Sequence, residues 1–473
     1  MTDDSPILFW HRRDLRLTDN PGLAAAALTG RPVIPVFILD EVFDSHGAAP
    51  KWRLGLGLEA FGAALAERGA RLVLRRGGAL QTLAALVRET GAGAVWWNRL
   101  YDPDSVERDT GVKADLKADG IDAQSFAGHI LHEPWEVETK QGDYYKVFTP
   151  FWRAVKDREV PDPVTAPSDL TAPDSWPDSD ALEDWQLGAA MDRGAPIVGK
   201  HVVVGERAAQ GRLAAFIGQR VQDYGDARDL PSVDGTSRLS ENLTLGEISI
   251  RSCWHAGLRA QADGKDGAGT FLQELVWRDF GHHLAYNTPR LTSENWREEW
   301  DAFPWNEDER KAEVIAWKRG RTGIRFVDAA MRELYVTGHM HNRSRMIVAS
   351  YLCKHLMCHW KIGKAWFEEH LTDWDPASNA LGWQWSAGSG PDATPYFRVF
   401  NPVTQLDRFD KKRTYVGHWI AEGQSQPSRD ALDYFEAIPR RWGLSPDDDY
   451  PEPVVGADEG RKRALEAYEN RSF

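Results

Sequence analysis

Several short stretches of this 473-residue chain bring together residue types that could do chemistry. "FLQELVWRDF" places Glu274, Trp277 and Arg278 at i, i+3 and i+4, on one helix face. A carboxylate that accepts hydrogen bonds, a ring that stacks and an arginine that reaches a phosphate can together receive a nucleotide base. An amphipathic helix edge explains the same triplet. "MHNRSRM" sets Asn342 and Met346 four apart, with Arg343 and Arg345 beside them. That is a polar and polarisable pair facing a ligand, one arginine for phosphate and one for a buried carboxylate, or an ordinary polar helix start. "DGTSRLSENLT" (234–244) offers hydroxyls and backbone N–H groups where phosphate could dock, or where a helix is merely capped. "LTDWDPASNALGWQWSAGSG" (371–390) crowds Trp374, Trp383 and Trp385 against Asp373, Asp375 and Asn379. Tryptophan normally buries area and carboxylates normally stay in water, so the crowding asks for a reason.

One tempting cluster is set aside. "CKHLMCHW" (353–360) holds two cysteines and two histidines within seven residues, but on a helix they point around the axis and no second ligand pair stands nearby. It reads as core packing, and no metal is expected.

The elements that must position these groups follow from the rest of the chain. Hydrophobic content of 42% and charged content of 27% indicate a globular protein, with no leader sequence and no membrane span expected. Three cysteines are too few for a disulfide framework and suit the cytoplasm. A net charge of −14 argues against indiscriminate nucleic-acid binding, yet leaves room for a local basic groove. Apolar, β-branched runs at Ile7–Trp10, Val33–Leu39, Leu72–Leu74 and Ala94–Trp97 alternate with helical stretches such as Leu54–Arg68 and Leu80–Glu89. This alternation predicts an α/β domain with a Rossmann-like parallel sheet over residues 1–132. The turn after the first strand reads "WHRRDLRLTDN" rather than GxGxxG, so an ordinary dinucleotide site is not indicated. The Pro-, Asp- and Ser-rich stretch "DREVPDPVTAPSDLTAPDSWPDSDALEDW" belongs to a long linker, 133–204. Residues 205–473 read as all helical.

The order of the motifs is more specific than any one of them. "YGDARDLPSVDGTSRLS", "ELVWRDF", "TGIRFVDAAMRELYVTGHMHNRSRMIVASYL" and "DWDPASNALGWQWSAGSGPDATPYFRVFNPVTQ" together resemble the DNA photolyase/cryptochrome family, and so does the opening "FWHRRDLRLTDNPGL". The resemblance covers essentially the whole chain. It implies a helical domain holding FAD, with Tyr224, Thr236, Ser237, Arg238, Leu239, Ser240 and Phe271 on its phosphates and adenine side. Asp373, paired with Arg345, and Asp375 sit by the flavin, and Asn379 faces its N5. It further implies an electron path through Trp383, Trp360 and Trp305, from the flavin outward. Trp277 and Trp385 flank a pocket for a flipped-out pyrimidine dimer, which Glu274 and Met346 contact. Asn342, Arg343, Arg228, Arg278 and Gln405 complete the lesion and DNA contacts. The implied activity is light-driven repair of cyclobutane pyrimidine dimers in damaged DNA by a monomeric lyase. A cryptochrome photoreceptor and a (6-4) photolyase are the alternatives. A second, antenna chromophore is expected, with methenyltetrahydrofolate ahead of deazaflavin. His46 falls where a folate-side histidine is often found, but Ser105 stands where folate-binding members carry an acid.

Overall fold

The computed structural model describes residues 4–392 and 397–473; residues 393–396, inside the motif "DWDPASNALGWQWSAGSGPDATPYFRVFNPVTQ", lie outside the described residues. Five parallel strands form one sheet in the order β3-β2-β1-β4-β5. They are β1 (Ile7–His11), β2 (Val33–Leu39), β3 (Val73–Arg76), β4 (Ala94–Asn98) and β5 (Asp122–Phe126). Successive side chains of a strand point to opposite faces, and both faces are covered. Ile7, Phe9, Val33 and Phe37 enter one core, whereas Leu8, Trp10, Ile34 and Val36 enter the other. The helices Ala48–Ala66 and Ala79–Thr90 seal those two cores. The edge strand β5, "DAQSF", has no apolar run and is legible only from its pairing with β4.

The connection after the sheet is docked rather than free. Its helix Phe148–Val155 sinks Phe148, Phe151 and Val155 into the helical half. Further on, the Val33 N–H donates to Thr171 O at 2.9 Å and the Asp180 N–H to Leu74 O at 2.8 Å, so the chain runs back along the sheet. From residue 205 onward there is no strand among the described residues. The helices that matter for the site are Ser240–Leu245, Ala268–Asn287, Asn342–Ser350, Trp360–His370 and Pro376–Ala387.

The turn "HRRDLRLTDN" joins the two halves. Arg16 donates to Gly246 O at 3.0 Å and Gly128 O at 2.9 Å, and Arg13 to Thr244 Oγ1 at 3.0 Å. Nearby, Arg53 forms a two-pronged pair with Glu247 at 2.9 and 2.6 Å, and neither side chain has any exposed surface. Gly246 turns with φ +67°, and a Cβ there would sit 2.1 Å from Arg13 O, so only glycine lets the strap close.

Candidate functional site

A cavity of about 700 Å³ opens between the Ala268–Asn287, Asn342–Ser350 and Pro376–Ala387 helices. Its lining follows from local helix geometry. Asp375 caps the last of these helices, accepting from the Ser378 N–H at 2.8 Å, with Pro376 at the first helical position. Asn379 and Trp383 then follow at successive four-residue steps, which stacks all three on the cavity face. The same spacing brings Glu274, Trp277 and Arg278 to the cavity from one helix, and Asn342 and Met346 from another.

The floor is built from compensated charge. Asp373 accepts from Arg345 at 2.9 and 2.7 Å. Burial alone would raise its carboxyl, but Arg345, His339 and Ser240 outweigh burial and hold it below its ordinary value. Asp375 is also buried, and His282 at 3.4 Å, with Arg278 and Arg13, holds it well below the usual range. Asp375 Oδ2, Asn379 Oδ1 and Trp383 Nε1 are buried without a protein hydrogen bond, although His282 and Arg13 stand within ion-pair range of Asp375 Oδ2. Lys364 O takes the Asn379 amide N–H at 3.1 Å, which leaves the amide oxygen as the unused end. Two unmet acceptors in a roomy cavity need a ligand that offers N–H or O–H donors. The ring N–H, ribityl hydroxyls and adenine amine of FAD meet that need.

The rim carries the stacking groups. Trp277 lies against Phe148, and Trp385 faces Phe400 with ring centroids 6.4 Å apart. Glu274 is paired with Arg228; burial raises its carboxyl, and Arg228 opposes that shift. Asn342 is exposed.

Other expected residues stand elsewhere. Tyr224, Leu239 and Phe271 are buried in the core of the helical half rather than lining the cavity. Of the hydroxyl-rich loop, Ser240 reaches the cavity; Thr236 and Arg238 line a cleft of about 290 Å³, and Ser237 with Arg238 one of about 360 Å³. Arg238 holds a left-handed backbone, φ 52°, which costs on the order of 1–3 kcal/mol in a non-glycine residue and marks the loop as strongly constrained. Arg278 turns inward and donates to His129 O at 2.7 Å and to His129 Nε2 at 2.9 Å. Arg343 pairs with Asp229 at 2.7 Å and lies over the Phe409 ring. Gln405, on the Pro402–Phe409 helix, does not line the cavity.

Trp383 is 2% exposed and Trp360 is fully buried, whereas Trp305 is half-buried. The Trp383 ring lies on Gly363, where a Cβ would come within 2.0 Å of it, and Gly363 is one turn from Trp360. His359 then bridges the outer pair, 5.6 Å from Trp360 and 5.8 Å from Trp305 between ring centroids.

"CKHLMCHW" opens in a π-helical turn, Tyr351–His355, and its cysteines are buried. Among the described residues the one group with metal-ligand spacing is His129, His282 and Asp375. Arg278 on His129 and Arg13 beside Asp375 already supply the positive charge there. His46 is packed on Trp374 at 4.8 Å beside a void of only about 10 Å³, and Ser105 is buried at a helix start under the Asp102 cap. At the carboxyl ends of β1 and β4, Arg12 stacks on Trp10 at 4.2 Å and pairs with Asp109 at 3.0 Å.

Sequence reasoning did not single out Phe148, Gly363, Arg13, His129 or His282. Only Arg13 carried a signal, since it lies in a turn rich in arginine with no dinucleotide motif to serve.

Comparison with known proteins agrees with this geometry. Residues 7–168 match the family profile described as DNA photolyase, and residues 271–470 match the FAD binding domain of DNA photolyase. A deoxyribodipyrimidine photo-lyase of Agrobacterium fabrum is 43% identical over 98% of each chain. Cryptochrome-1 of Arabidopsis thaliana is 32% identical over 97% of this chain and 70% of its own length. A crystal structure of a bacterial class III photolyase from Agrobacterium tumefaciens superposes with a TM-score of 0.90 at 40% identity, covering 99% of this chain and 98% of that one. Matched along 98–99% of its length by these photo-lyases and over both profiles, this chain belongs to the DNA photolyase/cryptochrome family.

Proposed function

We propose that the protein uses light to split cyclobutane pyrimidine dimers in DNA, with reduced FAD as the electron donor. The observation that carries this reading is that one cavity is lined at once by Asp373, Asp375 and Asn379 and by Glu274, Trp277, Asn342, Met346 and Trp385. The first set would hold the cofactor and the second would hold a flipped-out dinucleotide, within the same cavity. FAD, when bound, supplies an electron to the dimer and takes it back after the ring opens. The chain's own residues bind, orient and exclude water. Trp277 and Trp385 offer ring faces to a dinucleotide flipped from the duplex, which costs least when the pair already stacks badly. Glu274 accepts from base N–H edges, with Arg228 fixing its carboxylate. Arg343 and Gln405 contact the strand at the rim, and Arg278 supports the site from beneath through His129.

Asn342 and Met346 separate this reading from (6-4) repair, whose proton transfers an amide and a thioether do not serve at neutral pH. The cryptochrome relative motivates a second reading, a photoreceptor that shares the cofactor but does not repair. The test is to illuminate reduced protein with DNA carrying one defined lesion. Repair of the cyclobutane dimer and not the (6-4) lesion is expected; repair of neither favours the photoreceptor.

For the antenna we propose methenyltetrahydrofolate rather than deazaflavin. The crevice where a doubly wound sheet usually takes a flat ligand is filled by Arg12, Trp10 and Arg108. The pigment extracted from purified protein decides this. We take the protein to act as a cytoplasmic monomer, in keeping with three buried free thiols.

A further inference from the structure

The indole N–H groups of the three tryptophans in the proposed electron path are treated differently. Those of Trp383 and Trp305 are buried without a hydrogen-bond partner. That of Trp360 donates to Asn295 Oδ1 at 2.8 Å, and Asn295 Nδ2 donates to Asp301 Oδ1 at 2.7 Å. Trp360 is fully buried and Asn295 is 2% exposed. The amide can face only one way: an indole N–H only donates and a carboxylate only accepts, so oxygen meets Trp360 and nitrogen meets Asp301.

We propose that Asn295, held by Asp301, is a positioning residue that stabilises the positive hole on Trp360 while keeping its proton in place. The inference rests on the reading of Trp383, Trp360 and Trp305 as the electron path. One electron leaves Trp383 for light-excited FAD, one moves from Trp360 to Trp383, and one from Trp305 to Trp360; an external reductant refills Trp305. An indole that has lost an electron is far more acidic, so its N–H donates more strongly and the bond to Asn295 tightens in the oxidised state alone. An amide oxygen is too weak a base to remove that proton. The hole on Trp360 therefore stays a cation that can be refilled, and the step from Trp383 is made downhill. Trp383 has no such acceptor among the described protein groups, so no protein amide retains the hole beside the cofactor. Asp301 adds its charge from one group further away, at an exposed position where it stays hydrated.

The test uses the FAD-loaded full chain with Asn295→Leu, Asp301→Asn and, as a control on the path, Trp360→Phe. In the dark, ¹⁵N-indole NMR reports the Trp360 N–H, whose resonance shifts and whose hydrogen exchange quickens in Asn295→Leu. After a light flash, transient absorption follows the tryptophan radical. Asn295→Leu is expected to lower the yield of long-lived radical about tenfold, because charge returns to Trp383 before the path clears. Asp301→Asn, a surface change that spares folding, is expected to lower it about threefold. Unchanged radical yield and lifetime in both variants, with the N–H resonance shifted and Trp360→Phe inactive in photoreduction, would mean the bond only satisfies a buried donor and overturn the inference. Normal photoreduction in Trp360→Phe overturns the path itself, and the inference with it.

Discussion

Trp277 lies flat on Phe148, with ring centroids 3.6 Å apart and planes 9° from parallel. The indole also lines the cavity, so one face is held by the Phe148–Val155 helix while the ring presents itself to a ligand. A ring already fixed loses little rotamer freedom when a base stacks on it.

Trp277→Ala is accordingly expected to weaken binding of dimer-containing DNA by roughly tenfold to a hundredfold, the scale of one base–aromatic stack. Phe148→Ala should give a smaller loss in the same direction, since the indole stays but is no longer held. Fluorescence anisotropy with lesion and undamaged duplexes measures both. Equal loss on the two duplexes would show that Trp277 does not read the lesion.

Trp383→Phe should abolish photoreduction of oxidised FAD while sparing repair by protein reduced chemically beforehand. Gly363→Ala is the more demanding variant. Its Cβ would fall within 2.0 Å of the Trp383 ring, and such overpacking costs about 1–3 kcal/mol or displaces the ring. Slower photoreduction and a lower melting temperature are expected together. Wild-type behaviour in both measurements would contradict the packing of Trp383 on this helix.

Acid should destabilise the fold well above the range where carboxylates titrate. Burial pushes His132, His283, His341, His355 and His359 down to about 4. In the unfolded chain these rings take up protons near 6.5, so between pH 6.5 and 4 the unfolded state binds protons that the folded state refuses. Stability therefore falls as pH drops through that window. Asp279 works in the opposite sense: burial raises it to about 7 from an ordinary 3.8, so it favours the fold as pH falls toward 4. The histidines are expected to outweigh Asp279 together with the other buried acids that burial raises, Glu274 and Glu333 among them. The urea midpoint is expected to be lower at pH 5 than at pH 7.5, and an equal or higher midpoint at pH 5 would refute this balance.

Affinity for DNA should fall steeply with salt despite the charge of −14, by about 0.9 of a counterion for each phosphate contacted. The structure redistributes the candidates. Arg228, Arg278 and Arg343 each hold a protein partner, whereas Lys411 and Lys412 are exposed. Lys411→Ala and Lys412→Ala are each expected to reduce the slope of log affinity against log salt by roughly 1. Titrations at several salt concentrations measure this, and unchanged slopes in both variants would place the phosphate contacts elsewhere.

Residues on one helix face were legible because their spacing is the geometry: Glu274 with Trp277 and Arg278, and Asn342 with Met346; Asp375, Asn379 and Trp383 were legible only as one crowded stretch, not as a helix face. Four of the five strands were legible because both faces of a covered parallel sheet are apolar. β5 was not, as an edge strand need not be apolar to pair. The partners that come from distant chain were also invisible. Nothing in the sequence around Phe148 says that it will lie under a tryptophan 129 positions away. Likewise Arg278 looks like a phosphate ligand until the fold turns it onto His129. The loop 236–240 was readable as a hydroxyl-rich segment ahead of a helix, but which of its side chains face which cavity depends on the left-handed turn at Arg238.

The pair between Arg53 and Glu247 spans 194 residues. A ribosome adding about 5–20 residues each second would make Arg53 wait on the order of 10–40 s for its partner. During that interval the guanidinium must stay in water at a place that ends with no solvent contact. The sheet domain can therefore assemble early, but its surface under the helical half has to remain open until residues 241–247 emerge. Closure of that seam then cannot precede the middle of synthesis, and the cavity, whose floor includes Asp375 beside Arg13, is completed only after it.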